Sequence, residues 1–94
     1  MNLVYILYSK FLDRYYAGET MDLEERIKQH NSKFYDSAYT EKGTDWVLFH
    51  SIECKDRLQA RKIEAHIKKM KSKTYIQNLK RFSEMNEKLI TKYS

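Results

Sequence analysis

Five side chains of kinds that can cleave a phosphodiester are spread along the sequence. They are two phenols, a guanidinium, an imidazole and a carboxylate: Tyr5, Tyr16, Arg26, His30 and Glu64. Phosphodiester hydrolysis needs an activated water, positive charge near the phosphoryl oxygens and help for the leaving oxygen. Arginine offers a planar fork to a phosphate, and one carboxylate together with phosphate oxygens can hold Mg²⁺. A tyrosine, with a free pKa of about 10, acts as a base only where a metal or cation lowers that value.

The segment 16–31 is predicted to position three of these groups. It has the pattern of a strand end, a glycine turn and a helix start. Asp22 is a suitable N-cap, and Glu25 three residues later completes a capping box. A short helix is then expected over residues 23–30. Gly18 is expected to let the chain turn sharply between the strand and this helix, so that the functional groups converge.

Four of the five candidates also have a purely structural interpretation. Arg26 and His30 are four residues apart and share a helix face, where they could simply flank the apolar stripe. Glu64 could pair with Lys68 at i,i+4 as ordinary helix decoration, which spacing alone favours. Tyr5 lies in an apolar strand, where most tyrosines fill the core. The residue types therefore suggest a site without showing that its members meet.

The hydrophobic pattern predicts three strands. Continuous apolar β-formers at residues 3–8 indicate a strand covered on both faces. A short loop separates it from a strand at 14–17, and a hairpin is the natural connection. The third strand is predicted at 46–53, after a long surface loop at 33–45.

From residue 57 to about 71 the period becomes helical, with apolar positions at steps of 3, 4 and 3: Ala60, Ile63, Ile67 and Met70. Weaker helical signals continue through residues 72–94, which we interpret as a helical C-terminal extension of one domain covering residues 1–94. A chain of 94 residues can bury one modest core. The sequence thus predicts an α+β domain, a small three-stranded antiparallel sheet flanked by helices.

The net charge of +5 is unevenly distributed. Residues 1–54 hold six Lys/Arg against nine Asp/Glu, whereas residues 55–94 hold twelve against four. This asymmetry indicates a basic face for phosphates, although a lysine-rich, solvated helix surface fits the charge equally well. The lysines predicted to follow a DNA backbone cluster near the end of the second helix: Lys68, Lys69, Lys71 and Lys73.

Composition also bounds the setting of the protein. No apolar run approaches the roughly 20 residues that span a bilayer, so no membrane association is expected. The N-terminus lacks the basic and apolar regions of a signal peptide. The single cysteine, Cys54, cannot form an internal disulfide. The reducing cytoplasm is the expected location.

Several of these residues also stand in a recognisable order. The anchors are Leu3-Val4-Tyr5, Tyr16-Ala17-Gly18, Thr20, Asp22-Leu23, Arg26 and His30-Asn31. Their order and spacing resemble the signature of the GIY-YIG endonuclease superfamily. The nearest likeness is to small single-domain bacterial members, related to the N-terminal incision domain of excinuclease C. Residues 60–68 resemble the second helix of those members.

The resemblance implies a role for each candidate. Tyr5 and Tyr16 would orient or deprotonate the attacking water, and Arg26 would bind the scissile phosphate. Glu64 would hold one Mg²⁺ or Mn²⁺, and His30 is a candidate base or positioner. DNA is the implied substrate, cut to leave a 5′-phosphate and a 3′-hydroxyl.

The sequence departs from that family pattern at three places. Leu3 replaces a glycine and Ala17 an isoleucine, whereas the chemically active tyrosines are kept. Glu19 stands where the excinuclease branch has a lysine, and a carboxylate there would repel DNA unless it joined a metal. No separate DNA-binding domain is recognised, so this domain or a protein partner would supply targeting.

The sequence therefore predicts a metal-dependent DNA endonuclease with a preference for a DNA structure. A nucleic-acid-binding module on a nuclease fold, with weak or lost catalysis, is the alternative. A protein-interaction domain whose basic helices dock on an acidic partner is the third possibility.

Overall fold

The computed structural model describes residues 1–32 and 45–94. Within these ranges the chain forms an α+β domain, and the predicted fold class is confirmed. The strands are β1 (Asn2–Ser9), β2 (Arg14–Thr20) and β3 (Val47–Cys54). The helices are α1 (Leu23–Asn31), α2 (Arg57–Met70), α3 (Lys73–Arg81) and α4 (Ser83–Lys92). The loop predicted at 33–45 lies outside the described residues, except for its last residue.

Strand β1 is the centre of an antiparallel sheet with the order β2-β1-β3. Because side chains alternate along a strand, β1 contributes to both layers of the domain. Val4 and Ile6 enter the main hydrophobic cluster, whereas Tyr5 and Leu7 enter a second, smaller cluster. All four are essentially inaccessible to solvent, so the prediction of a strand covered on both faces is confirmed.

The main cluster packs helices against one face of the sheet. Helix α2 contributes Ala60, Ile63 and Ile67 to this cluster, α3 contributes Leu79 and α4 contributes Leu89. Residues 72–94, expected to be a helical extension, thus form α3 and α4 and contribute buried leucines to this layer. No helix among the described residues is long and apolar enough to cross a membrane.

One member of the predicted α2 stripe is not part of the core. Met70 is 46% exposed, so its assignment to the buried stripe was wrong. The reason is that α2 ends at this residue. Lys71 follows in a left-handed conformation with φ of 48°, which turns the chain toward α3.

The segment between β2 and α1 also differs from expectation. Asp22 caps α1 as predicted, because its side chain accepts a bond of 3.1 Å from the Glu25 backbone N–H. The Asp22 backbone N–H donates to Thr20 Oγ1 at 3.0 Å, which takes the place of the reciprocal Glu25 bond of a capping box.

The predicted turn at Gly18 is wrong. Strand β2 continues through Thr20, and Gly18 lies within it without a positive φ. Gly18 is paired with Tyr5 across the sheet. A Cβ atom at this position would lie 2.5 Å from Cζ of Tyr5. Glycine is therefore needed here because the Tyr5 ring covers its backbone, not because the chain turns.

Candidate active site

The smaller cluster contains two of the predicted phenols and the predicted imidazole. The Tyr5 hydroxyl and His30 Nε2 are hydrogen-bonded at 3.1 Å, and both residues are 1% exposed. The Tyr16 ring lies 4.8 Å from the His30 ring and 6.4 Å from the Tyr5 ring, between centroids. The structure therefore brings Tyr5, Tyr16 and His30 into one contiguous group.

The sheet register explains why the two phenols meet. Leu7 pairs with Tyr16 and Tyr5 with Gly18, so the tyrosines are diagonal neighbours on the same face of the β1–β2 pair. Gly18 leaves room for the Tyr5 ring. Helix α1 follows β2 directly and brings His30 to this face as the only buried residue of the helix.

Electrostatics keep the His30 imidazole neutral. Burial, and then the positive charge of Arg26, lower the pKa of His30 to about 4. At neutral pH the ring therefore has one donor nitrogen and one acceptor nitrogen, and Nε2 takes one of these roles toward the Tyr5 hydroxyl. A neutral ring can accept a proton, which an imidazolium cannot.

Arg26 lies one helical turn before His30 and is partly exposed. Its positive charge is the second cause of the lowered pKa of His30. Arg26 and His30 thus lie on the same helix and on neighbouring turns. This position suits a phosphate that approaches the cluster from solvent.

Glu64 reaches the cluster through a lysine. Its carboxylate forms an ion pair of 2.8 Å with Nζ of Lys68, the next turn along α2. The same ammonium lies 5.3 Å from the centroid of the Tyr16 ring. The i,i+4 pair considered from the sequence is therefore present, and it also connects Glu64 with Tyr16. The Glu64 side chain keeps 21% of its surface exposed.

Glu64 is a single carboxylate, which suits a hydrated metal ion that is also bound by substrate phosphates. No group of three or more His, Cys, Asp or Glu residues that could enclose a metal occurs in residues 1–32 and 45–94. Mg²⁺ commonly keeps several waters and binds one or two carboxylates together with substrate phosphates. A single, partly exposed carboxylate suits that arrangement and does not suit a closed all-protein site.

The four lysines predicted to follow DNA do not form one cluster. Lys68, Lys71 and Lys73 line a cavity of about 750 Å³ together with Tyr16. Lys69 instead lines a separate pocket between α2 and the C-terminal residues of the chain. The division follows from helical geometry, since neighbouring residues on a helix point in different directions.

Like Lys68, which pairs with Glu64, Lys73 is already engaged by the protein. Nζ of Lys73 lies 3.1 Å from Oδ2 of Asp13 and donates to the Asp13 backbone carbonyl at 2.8 Å. Its charge is therefore partly balanced. A role of Lys68, Lys71 and Lys73 in DNA binding stays a prediction, whereas Lys69 lies at the other pocket and is tested separately below.

Glu19, the unexpected carboxylate, is directed away from the phenol cluster. Alternation along β2 puts it on the sheet face opposite Tyr16 and Gly18. There it lies 3.5 Å from Nε of Arg57, at the start of α2, with 18% of its side chain exposed. The repulsion of DNA expected from its sequence position is reduced by this pairing.

A pair of hydrogen bonds that the sequence analysis missed fixes one wall of the cluster. The Asn31 side chain donates to the Trp46 carbonyl at 2.9 Å and accepts from the Trp46 N–H at 2.7 Å. The Trp46 ring is buried, with its centroid 6.4 Å from those of Tyr16 and His30. Asn31 was noted in the sequence only as part of the His30-Asn31 pair of the signature. Its hydrogen-bond partner, Trp46, is 15 residues away, and no local pattern identifies it.

Most of the chain matches one known family. A family model described as the GIY-YIG catalytic domain matches residues 1–80. The match covers all five candidate residues and ends before α4. No curated protein and no solved structure gave a significant match.

Proposed function

The chain belongs to the GIY-YIG family, and from that premise we propose that it is a metal-dependent DNA endonuclease. The family's catalytic domains are nucleases that act on DNA, generally with a divalent metal ion. The observation that carries the proposal is the joined group of functional side chains. Tyr5, Tyr16 and His30 are in contact, and Lys68 links Tyr16 to Glu64.

The binding groups lie on the two helices that flank β2. Arg26 on α1 would hold the scissile phosphate through its planar fork. Glu64 on α2 would hold Mg²⁺ or Mn²⁺, which would supply positive charge to the phosphoryl oxygens and acidify a bound water. The phosphate would then lie between the two helices, beside the exposed part of Tyr16.

The two phenols have different environments and so different tasks. Tyr5 is buried and bonded to His30, so it orients the imidazole and can exchange a proton with it. Tyr16 is only partly buried and borders the cavity beside the basic residues of α2 and α3. Tyr16 would therefore be the phenol that contacts the attacking water. Because the pKa of His30 is only about 4, the imidazole would act by positioning the phenols.

A nicking assay on supercoiled plasmid, with flapped and branched oligonucleotides in parallel, tests this function. We expect cleavage with Mg²⁺ or Mn²⁺, none with EDTA, and faster cutting of at least one non-duplex structure. Glu64→Gln should abolish cleavage but leave DNA binding nearly unchanged, because phosphate affinity comes from many Lys and Arg side chains. Glu53→Gln, an exposed carboxylate on β3, is the matched control and should cut normally.

Two results would contradict the proposal. Cleavage by Glu64→Gln at the parent rate would show that Glu64 is part of the helix surface only. DNA binding by the parent protein without cleavage in either metal would instead indicate a nucleic-acid-binding module on a nuclease fold.

A further inference from the structure

We propose that the Lys68 ammonium competes with the metal ion for the Glu64 carboxylate, so that DNA and metal bind this site cooperatively. This inference rests on the proposed function and concerns how that same site is filled. Lys68 is here a positioning residue, because it acts through the Glu64 carboxylate and not on the substrate.

The ammonium group of Lys68 has two contacts within the protein. Nζ of Lys68 lies 2.8 Å from Oε2 of Glu64 and 5.3 Å from the centroid of the Tyr16 ring. A decorative ion pair on a helix needs only its own two side chains. Here the lysine also covers the phenol that borders the cavity. Lys68 therefore occupies the space between the carboxylate and the phenol.

The ammonium occupies one of the two oxygens of the carboxylate. Oε2 of Glu64 lies 2.8 Å from Nζ of Lys68, so a metal ion on either oxygen would lie close to a positive charge. Metal binding would therefore weaken this ion pair, because two cations at such separations repel each other. No group of three or more His, Cys, Asp or Glu residues that could hold a metal occurs in the described ranges, and at this proposed site the metal would depend on Glu64 for its hold on the protein. The apparent affinity then falls with the fraction of time that Glu64 is paired.

Bound DNA would change the ion pair between Lys68 and Glu64. With 47% of its side chain exposed, Lys68 has room to turn toward the cavity. A phosphate bound beside Tyr16 would attract the ammonium and release the carboxylate. DNA would thereby raise metal affinity, and by thermodynamic linkage the metal would raise DNA affinity by the same factor.

Metal binding without DNA is the first test. The probe is Mn²⁺, followed by electron paramagnetic resonance of the free ion, in the parent protein and in Lys68→Met, Lys69→Met and Glu64→Gln. We expect Lys68→Met to bind Mn²⁺ about two- to fivefold more tightly, the range that an exposed ion pair can account for. Lys69→Met is the matched control, since it removes the same charge one residue away on the other surface. Its affinity should equal that of the parent.

The second test adds DNA. A short duplex with a phosphorothioate backbone keeps the phosphate charges and hydrolyses slowly, and Glu64→Gln gives the Mn²⁺ bound by the DNA alone. We expect the duplex to tighten Mn²⁺ binding by a larger factor in the parent than in Lys68→Met, because phosphate oxygens add ligands in both proteins but only the parent has an ion pair to release. An equal increase in both proteins would overturn the coupling.

The two proposals fail in different ways. If Glu64→Gln binds Mn²⁺ as the parent does, Glu64 is not the ligand, and the proposed metal site itself is wrong. If only Glu64→Gln loses Mn²⁺ while Lys68→Met binds it equally or more weakly than the parent, the site stands and the competition by Lys68 is refuted.

Discussion

At the level of single residues, the site combines groups of opposite character. Tyr5 and His30 are buried and hydrogen-bonded, whereas Arg26 and Glu64 keep contact with solvent. Buried groups hold a fixed geometry, and exposed charges can meet a charged substrate. The buried pair would then hold the phenols in position, and the exposed charges would bind phosphate and metal. One prediction follows for each kind of group.

Arg26 should affect chemistry more than stability. Arg26→Ala is expected to reduce single-turnover cleavage about 10²–10³-fold, the usual cost of losing one charge-stabilising donor. Arg26→Lys should recover only part of that loss, since an ammonium lacks the planar fork. Thermal melts of the three proteins provide the control. A melting loss that parallels the loss of rate would assign Arg26 to the fold instead.

His30 should make the protein acid-sensitive. The pKa of His30 is about 4 in the folded state and about 6.5 in the unfolded state, so between these values the unfolded chain binds more protons. Stability is therefore unaffected by His30 above pH 6.5 and is lost as pH falls toward 4, by about 3 kcal/mol in total. His30→Gln should flatten the decline in unfolding free energy over this interval. Equal declines in both proteins would show that another group titrates.

At the level of elements, β2 is where the two halves of the site meet. It is an edge strand, so α1 can bring His30 to one face while α2 brings Lys68 round to the Tyr16 ring. On a central strand, the neighbouring strands on both sides would keep a side chain of α2 from reaching a ring on the opposite face of the sheet. The edge position thus explains how residues from both layers reach one phenol.

Gly18 tests the packing on which this edge depends. A Cβ atom in Gly18→Ala would lie 2.5 Å from Cζ of Tyr5, so the ring must move away from His30. We expect a loss of about 1–3 kcal/mol in unfolding free energy, typical of overpacked cores. In a double-mutant cycle with Tyr5→Ala, this cost should largely disappear. Additive effects would show that the Tyr5 ring is not what excludes a side chain at position 18.

The two lysine surfaces make separable predictions for DNA binding. Replacing Lys71 and Lys73 by alanine should weaken binding and reduce the salt slope by about one to two units, because each phosphate contact contributes about 0.9 and Lys73 is already paired with Asp13. Replacing Lys62 and Lys69, which line the other pocket, should leave the slope unchanged. Fluorescence anisotropy at several salt concentrations measures both. A reduced slope only in the second pair would place the DNA on the opposite surface.

At the level of the whole molecule, the core extends beyond the family match. The match ends at residue 80, yet α4 contributes Leu89, which is 4% exposed, to the main cluster. The Asn86 side chain of the same helix bonds to His50 on β3 at 2.7 Å. Helix α4 therefore supports the sheet that carries the site, although it contributes none of the candidate residues.

This support should be measurable as stability. Leu89→Ala is expected to cost about 2–5 kcal/mol, the usual range for removing a buried leucine side chain. Lys88→Ala, at an exposed position of the same helix, is the control and should change little. Chemical denaturation of both variants decides the matter. A small loss for Leu89→Ala would show that α4 is dispensable for the core.

Sequence reasoning succeeded where the signal was periodic. The apolar run at residues 3–8 and the helical period of α2 predicted their elements to within one or two residues. It failed where the cause was a contact between distant residues. Gly18 resembled a turn because the ring that requires it belongs to another strand, and Met70 fitted a helical period that ended there. The residues of the site were expected from their types, but the bridge of Lys68 to Tyr16 depends on how α2 crosses the sheet edge.

The paired hydrogen bonds between Asn31 and Trp46 have a consequence for how this domain can change. They hold together the two points between which residues 32–45 run, whatever the length of that chain. The entropy of closing such a loop grows slowly, by about 0.6 kcal/mol for each doubling of its length. Because Asn31 and Trp46 are joined in this way, the free energy of unfolding should depend only weakly on the number of residues between them. The pair thus fixes the end of α1 against the start of β3 independently of their separation in sequence.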